Sequence, residues 1–526
     1  MSKQLNQLVD QKFLLKIIQN SFQNNQISIQ EVEKLGGLSN YNFKLLLQQS
    51  KDNDQILQLV YKKYTNYFNI LIDRQIEKLV ASNIQKYLYS NINVIYLDEN
   101  QRIQQFIDKQ NIPVLQITGQ ISIFMQIAEQ IAKFHSFTSQ VFTQQKQELQ
   151  KIQQINEKYE NHTQNRCKLN IEKLFQPIVL SQLENATKNS KIVNNAQKKE
   201  IFQIINTLKD ANFQDLILNK IPSKTSQKLV YAHNDLNSTN FLYNQKPNSQ
   251  NNQKQNQNQK QNNFFSSSSS HSSFSSSSFF SLNNRKTASD QTDSENISQN
   301  SAENREKSEN QQDNQNNQEY QQNQEKLKKF ENEIQIIDYE FVGLNYRFYE
   351  FGNFFNEITW DYEYPEKPYF TIDPSKYPSE KAQKFFFAYY LINYDQKCEN
   401  SESFSNQFFV LNEEKLSDIK QKLQSFILEN EEKIDNYDQF YQELYQIIIE
   451  AVFDNPNQQV QQQLKLNFEK EITDLIYESS IGQMYSQLFW LEIGILSLAF
   501  PDLDFDFYLY IQQRHTQLQK QIQIFQ

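Results

Sequence analysis

Between about Gln245 and Gln324 the chain consists mainly of Asn, Gln, Ser and Lys with scattered charge, including the serine run Ser266 to Ser270. No apolar period runs through this stretch, so it cannot bury enough surface to offset the entropy of ordering it. It is expected to be a disordered insertion over 245–326. The fold must then be built from two separated pieces, and lengthening the connection between them costs little, because closure entropy grows slowly with loop length.

Composition allows the rest to be globular. Hydrophobic residues are 38% of the 526, low for a chain folded throughout, yet aromatics reach 13% with 40 Phe and 28 Tyr, enough for a large core. The net charge of -10 argues against a chain-wide electrostatic grip on nucleic acid or an anionic membrane. Two cysteines, Cys167 and Cys398, make neither a disulfide framework nor a Cys-rich zinc site, and a reducing compartment fits best. The N-terminus has no secretory pattern. The most apolar stretch, Leu488 to Phe500, carries Glu492 and is too short to span a bilayer, so it reads as a buried helix. The expectation is a soluble, cytoplasmic protein.

Along the chain, Ile56 to Tyr64, Asn93 to Leu97 and Arg102 to Ile107 read as strands and Asp73 to Tyr87 as a helix, which makes a small mixed lobe over 1–108. Ile117 to Phe137 has helical spacing. Further helices are expected at Tyr159 to Leu174, Lys198 to Lys209, Lys381 to Asn393, Asn412 to Asn430, Tyr437 to Phe453, Lys470 to Leu498 and Phe507 to Gln523. A mainly helical second lobe thus covers 109–244 and 327–526. Two short strands interrupt it, Leu229 to Ala232 and Ile334 to Ile337, one on each side of the insertion.

The chemistry sits just after those two strands. The first leads into His233-Asn234-Asp235-Leu236-Asn237-Ser238-Thr239-Asn240 and the second into Asp338-Tyr339-Glu340. Phosphoryl transfer needs a carboxylate to orient a hydroxyl and accept its proton, a role that suits Asp235. It also needs oxygen ligands for Mg²⁺, which Asn240 and Asp338 can supply. An isolated H-x-D is more often a plain turn, since Asn and Asp favour turns. The second strand ending in Asp reverses that balance. His233 fits a structural role, packing and hydrogen-bonding the loop.

His233 to Asn240, together with Ile334 to Glu357, resembles the two signature segments of the choline/ethanolamine kinases, relatives of aminoglycoside phosphotransferases with a protein-kinase-like fold. The resemblance extends more weakly from about Lys34 to Arg514. It implies an α+β, bilobal protein-kinase-like fold, and an ATP-dependent, Mg²⁺-using kinase that phosphorylates the hydroxyl of choline or ethanolamine for phospholipid head-group synthesis. Asp235 would be the base, with Asn240 and Asp338 holding the metal.

In the first lobe, Gly36, Gly37, Ser39 and Asn40 resemble the family's phosphate-covering turn, although a bare Gly-Gly also suits a plain hairpin. Lys62 falls where the family keeps a basic strand residue on the phosphates, and adjacent strand residues cannot both face the cleft, so Lys63 would point away. Glu77 is expected to pair with Lys62, or else to be a solvated helix carboxylate. Gln105 lies in the segment that resembles the adenine-contacting hinge.

For the acceptor, the resemblance assigns Glu357 as the acidic residue and Tyr362, Trp490 and Tyr510 as aromatic walls for a cation. Core packing is the alternative for each ring. Glu340, Asn345, Arg347 and Asn353 would brace the site. Three departures stand out. Ile493 replaces the second cage tryptophan, Glu350 replaces an Asp, and Thr239 stands where Gly is usual. Two rival readings are another small-molecule phosphotransferase of the same fold, and a non-catalytic interaction protein that works through its Asn/Gln-rich insertion. A homodimer is left open by the sequence.

Overall fold

Burial alternates along Asn40–Ser50, where Phe43, Leu45 and Leu47 are inside. That period of two fixes a strand with one face on a core. This strand, β2, lies in an antiparallel five-stranded sheet with β1 (Ser28–Lys34), β3 (Asn53–Tyr64), β4 (Val94–Leu97) and β5 (Gln101–Gln105), in the order β1-β2-β3-β5-β4. The molecule is described by a computed structural model covering residues 9–35, 40–50, 53–65, 71–155, 174–219, 229–244, 334–394, 411–453, 459–500 and 505–525. All of these belong to one compact unit, built from Met1–Asn244 and Glu333–Gln526. A second unit, Gln245–Asn332, lies outside the described residues, as do the expected helix at Tyr159 to Leu174 (Leu174 apart) and Gly36, Gly37 and Ser39.

One face of the sheet packs on α1 (Gln11–Phe22), an element that sequence periodicity did not single out. Asp10 caps it by accepting from the Phe13 amide at 3.1 Å, and Leu14 and Ile18 join Leu45, Leu59 and Tyr61 in a core of their own. On β3, Tyr61 and Lys62 point to opposite faces, as the pleat requires. Lys62 is buried and Lys63 only half-buried, so Lys62 is the inward lysine. It faces α2 (Arg74–Tyr87), which is capped by Asp73.

The second lobe is mainly helical, as expected. It contains α3 (Val114–Gly119), α4 (Ile121–Ile155), α5 (Pro177–Asn189), α6 (Asn195–Lys209) and α7 (Ala211–Leu218), of which α5 and α7 escaped the sequence reading. The strands of this part are β6 (Gln110–Asn111), β7 (Leu229–Ala232), β8 (Phe241–Tyr243), β9 (Gln335–Ile336) and β10 (Gly343–Tyr346). The last part holds α8 (Arg347–Glu357), a two-stranded ribbon of β11 (Trp360–Asp361) and β12 (Thr371–Ile372), then α9 (Glu380–Asn393), α10 (Glu413–Asn430), α11 (Tyr437–Val452), α12 (Gln459–Ser497) and α13 (Phe507–Phe525). Leu488–Ser497 form the buried end of α12, Leu498 to Phe500 lie just beyond it, and among the described residues no helix is long and apolar enough to cross a membrane.

Two antiparallel pairings position the site. Phe241 of β8 lies opposite Ile336 of β9, and Ala232 of β7 opposite Gly343 of β10. The chain therefore leaves β8 and returns on the strand beside it, whatever lies between. Helix α8 is buried along its whole length and crosses α12 at two glycines. A Cβ on Gly352 would stand 2.2 Å from the Gly482 carbonyl carbon, and one on Gly482 2.1 Å from the Phe348 carbonyl oxygen. The crossing needs both bare.

Two outcomes are expected. Gly352→Ala or Gly482→Ala must push the helices apart against backbone, costing about 1–3 kcal/mol or more, read as a lowered Tm. Deleting Pro247 to Gln324 should leave a folded protein with wild-type Tm within a few degrees, because β8 and β9 pair regardless of what connects them. A collapse of the melting transition would show that the deleted residues support the fold.

Candidate active site

The turn after β7 is set by its backbone. Asn234 has φ 67°, a left-handed conformation that Asn tolerates better than most residues. Its amide donates to Glu350 Oε2 at 3.2 Å. Its side-chain amide donates to the Ala232 and Phe341 carbonyls at 3.2 and 2.8 Å, and its Oδ1 accepts from Asn345 at 2.7 Å. The longer Glu350 thus still braces the loop. His233 Nε2 bonds the Ile337 carbonyl at 2.9 Å, and its Nδ1 accepts from the Asp235 amide at 3.3 Å. This pattern defines the neutral Nε2–H tautomer, and burial of the ring holds its pKa below the ordinary value. His233 therefore orients the loop and carries no charge.

Asp235 is held by neutral amides. Asn237 Nδ2 donates to its Oδ1 at 2.8 Å, and Asn240 Nδ2 to its Oδ2 at 3.0 Å and its carbonyl at 2.8 Å. Thr239 has a local use, since its amide and hydroxyl both donate to Asn237 Oδ1, at 2.9 and 2.6 Å. Burial, then the nearby carboxylates of Asp338 and Glu357, push the Asp235 pKa well above the ordinary carboxylate range.

Asp338 follows β9 in the left-handed region at φ 66° and lies beside Asn240, because the Ile337 amide donates to the Asn240 carbonyl at 3.0 Å. Lys62 pairs with Asp338 and lies 3.3 Å from Glu340. Burial by itself would lower the lysine pKa, but these two carboxylates overcome it and raise it. Burial likewise works against ionised Asp338, and Lys62 then Arg102 hold its pKa below the usual value.

Glu77 does not pair with Lys62 as expected. Its two oxygens lie 2.6 Å from Arg74 Nη1 and 3.3 Å from Arg102 Nη1. The reason is sheet register: Arg102 of β5 is directly opposite Lys62, so two cations share one face and divide the available acids. Asn40 donates to Glu340 and accepts from Arg74 at 3.1 Å and the Thr65 amide at 3.2 Å. Gln105 ends β5 with an exposed side chain, outside this buried cluster.

The four acceptor-site residues do converge. Tyr362 donates to Glu357 Oε2 at 2.6 Å, and Tyr510 and Tyr362 each pack against Trp360. Trp490 donates from Nε1 to Asn353 Oδ1 at 2.8 Å and meets Phe341 edge to face at 6.1 Å. Asn353 also accepts from Ser486 at 3.0 Å and donates to the Leu236 carbonyl at 3.3 Å, which ties α12 to the Asp235 loop. Arg347 pairs with Glu471 at 2.5 Å and braces α8 on α12.

Sequence reasoning missed Arg74, Phe341, Asn237 and Arg514. Arg514 is fully buried between Glu357 and Tyr362, and its position four residues after Tyr510 on one helix was the available signal.

Asn240 and Asp338 bring amide and carboxylate oxygens close to a buried lysine, groups of the kind phosphoryl transfer uses. Residues 32–519 match the choline/ethanolamine kinase family, and the chain belongs to that family. Choline kinase alpha of Mus musculus is 32% identical over 128 residues, covering 23% of this chain and 28% of that protein. Choline/ethanolamine kinase of Rattus norvegicus is 34% identical over 61 residues, covering 12% and 16%. These matches span less than a third of either relative. A solved choline kinase from Cryptosporidium parvum Iowa II aligns over 97% of this chain and 95% of its own at 15% identity, with a TM-score of 0.46. The corresponding values for the Plasmodium vivax ethanolamine kinase are 93%, 81%, 13% and 0.44.

The raised Asp235 pKa has a stability consequence with a definite sign. The native state holds this proton above the pH at which the unfolded chain loses it, so stability falls as pH rises from the unfolded carboxylate pKa to the raised folded value. Asp235→Asn is therefore expected to melt at or above the wild-type Tm at pH 7, with the gap closing towards pH 4. Thermal melts across that range check it, and a variant less stable at pH 7 than at pH 4, relative to wild type, would contradict it.

Proposed function

We propose that this chain transfers the γ-phosphoryl group of ATP to the hydroxyl of choline or ethanolamine. The observation that supports it most is that buried Asp235, Asn240 and Lys62 meet half-buried Asp338, which the insertion separates from them in sequence. Asp235 orients the alcohol and takes its proton as the oxygen attacks phosphorus. The bond from phosphorus to the β-phosphate oxygen breaks, and ADP leaves with that electron pair. Lys62 lies where its ammonium can turn from Asp338 to phosphate oxygens.

The donor set suits Mg²⁺. Asn240 and Asp338 offer hard oxygen atoms side by side, and the Asn240 amide nitrogen is engaged by Asp235, which leaves its Oδ1 for a cation. Mg²⁺ bound there would neutralise phosphate charge. The rings of Trp490, Tyr510 and Tyr362 would hold the amino-alcohol cation. Ile493 leaves one wall aliphatic, so choline is expected to be used with modest preference over ethanolamine. A cytoplasmic location fits these soluble substrates.

ATP turnover with a panel of amino alcohols tests the reading, and no turnover with either choline or ethanolamine would sink it. Asp235→Asn should cut kcat by roughly 10²- to 10⁴-fold while ATP still binds. Asp338→Ala should raise the Mg²⁺ concentration needed for the residual activity. An unchanged Mg²⁺ dependence would remove Asp338 as a ligand.

A further inference from the structure

Glu357 does not offer a free carboxylate. Its Oε1 accepts from Arg514 Nη2 at 2.8 Å, and its Oε2 accepts from the Tyr362 hydroxyl at 2.6 Å. The same Nη2 lies 2.6 Å from that hydroxyl, and Arg514 Nη1 donates to Gln487 at 3.0 Å. The guanidinium carbon sits 3.8 Å from the centre of the Trp360 ring, 5.0 Å from Tyr510 and 6.0 Å from Trp490. Side-chain exposure is 0% for Arg514 and 1% for Glu357. The protein thus places its own cation among the very groups that would attract a cationic substrate.

Such a pair is fixed. Removing either partner would strand a buried charge, and the planar guanidinium is matched to its ring and its carboxylate at once. It is also neutral in sum. An ammonium entering beside Trp490 and Tyr510 meets ring faces and a charge-balanced pair. Asp235, by contrast, is held by the neutral amides of Asn237 and Asn240.

We propose that Arg514 is a specificity-setting positioning residue: it cancels the charge of Glu357, so the acceptor site grips an ammonium by aromatic faces and not through an ion pair with Glu357. This rests on the amino-alcohol kinase reading. It differs from a simple carboxylate–ammonium contact in one consequence. Glu357→Gln should hurt cation recognition mainly because it leaves Arg514 unbalanced and repulsive, so removing Arg514 as well should restore recognition.

The experiment compares kcat/KM for choline with that for its neutral carbon isostere, dimethylbutanol, in wild type, Glu357→Gln, and Glu357→Gln/Arg514→Met. The ratio cancels general damage to folding or chemistry. Expected is a fall of about tenfold or more in the ratio for Glu357→Gln, and a return to within about threefold of wild type in the double variant, the signature of two coupled sites. A double variant whose ratio stays as low as that of Glu357→Gln would overturn the proposal, since the carboxylate would then hold the ammonium itself. Should the double variant not fold, Glu357→Leu/Arg514→Met, which fills the same space with apolar groups, is read in the same way. If the wild type phosphorylates no amino alcohol, the functional reading fails. Charge cancellation is then judged from tetramethylammonium binding by calorimetry, with loss in Glu357→Gln and recovery in the double variant expected, and no recovery overturning it.

Discussion

Everything at this site depends on burying Lys62 against Asp338 and Glu340. A lysine this enclosed would shed its proton without partners, and an enclosed aspartate would take one up. Each holds the other ionised. Because Lys62 rises from the sheet and Asp338 from the end of β9, this ion pair links strands from two different parts of the chain. Arg102, opposite Lys62 in the sheet, would make that face too positive, and Glu77 balances it together with Arg74. The charges form a ladder in which removing Lys62 would strand Asp338 and removing Glu77 would strand Arg102.

Beneath that ladder, polar groups carry the geometry of the loop after β7. Asn234 turns left-handed and all of its side-chain hydrogen-bonding atoms are engaged, with Asn345, Phe341 and Ala232. His233 spans from the loop to Ile337, and Asn353 spans from Leu236 to Trp490. A buried network of this kind is costly if one bond is missing and rigid if all are made. The close crossing of α8 and α12 at Gly352 and Gly482 brings Asn353, Ser486 and Trp490 within reach of one another.

Much of this was legible. The H-x-D-x₄-N loop and the Asp after the second strand could be read from residue types, because proton transfer and magnesium ligation need particular side chains. The choice of Lys62 came from the family resemblance, and strand alternation then turned Lys63 to the other face. The pairing of Glu77 was misread, because a helix carboxylate has several cations within reach and sheet register, a non-local property, selects among them. The partners of Asn40 were illegible for the same reason: Glu340 and Arg74 are distant in sequence. Helices α5 and α7 are short, 13 and 8 residues, and give little periodicity to read, whereas α1 carries an apolar stripe that was overlooked.

The sequence by itself determined the chemical equipment: which carboxylates, amides and rings are present, the strand–loop context of Asp235 and Asp338, and a segment too polar to join a core. Those properties are local, set by side-chain chemistry and by periods of two and 3.6. Only the tertiary structure decided which opposite charges meet, that Arg514 lies within the ring cluster beside Glu357, and that Asp235 is raised well above the usual carboxylate range. Those are matters of burial and distance between residues far apart in the chain, and electrostatic energy depends on both, through separation and the local dielectric, and on neither in a way that sequence order records.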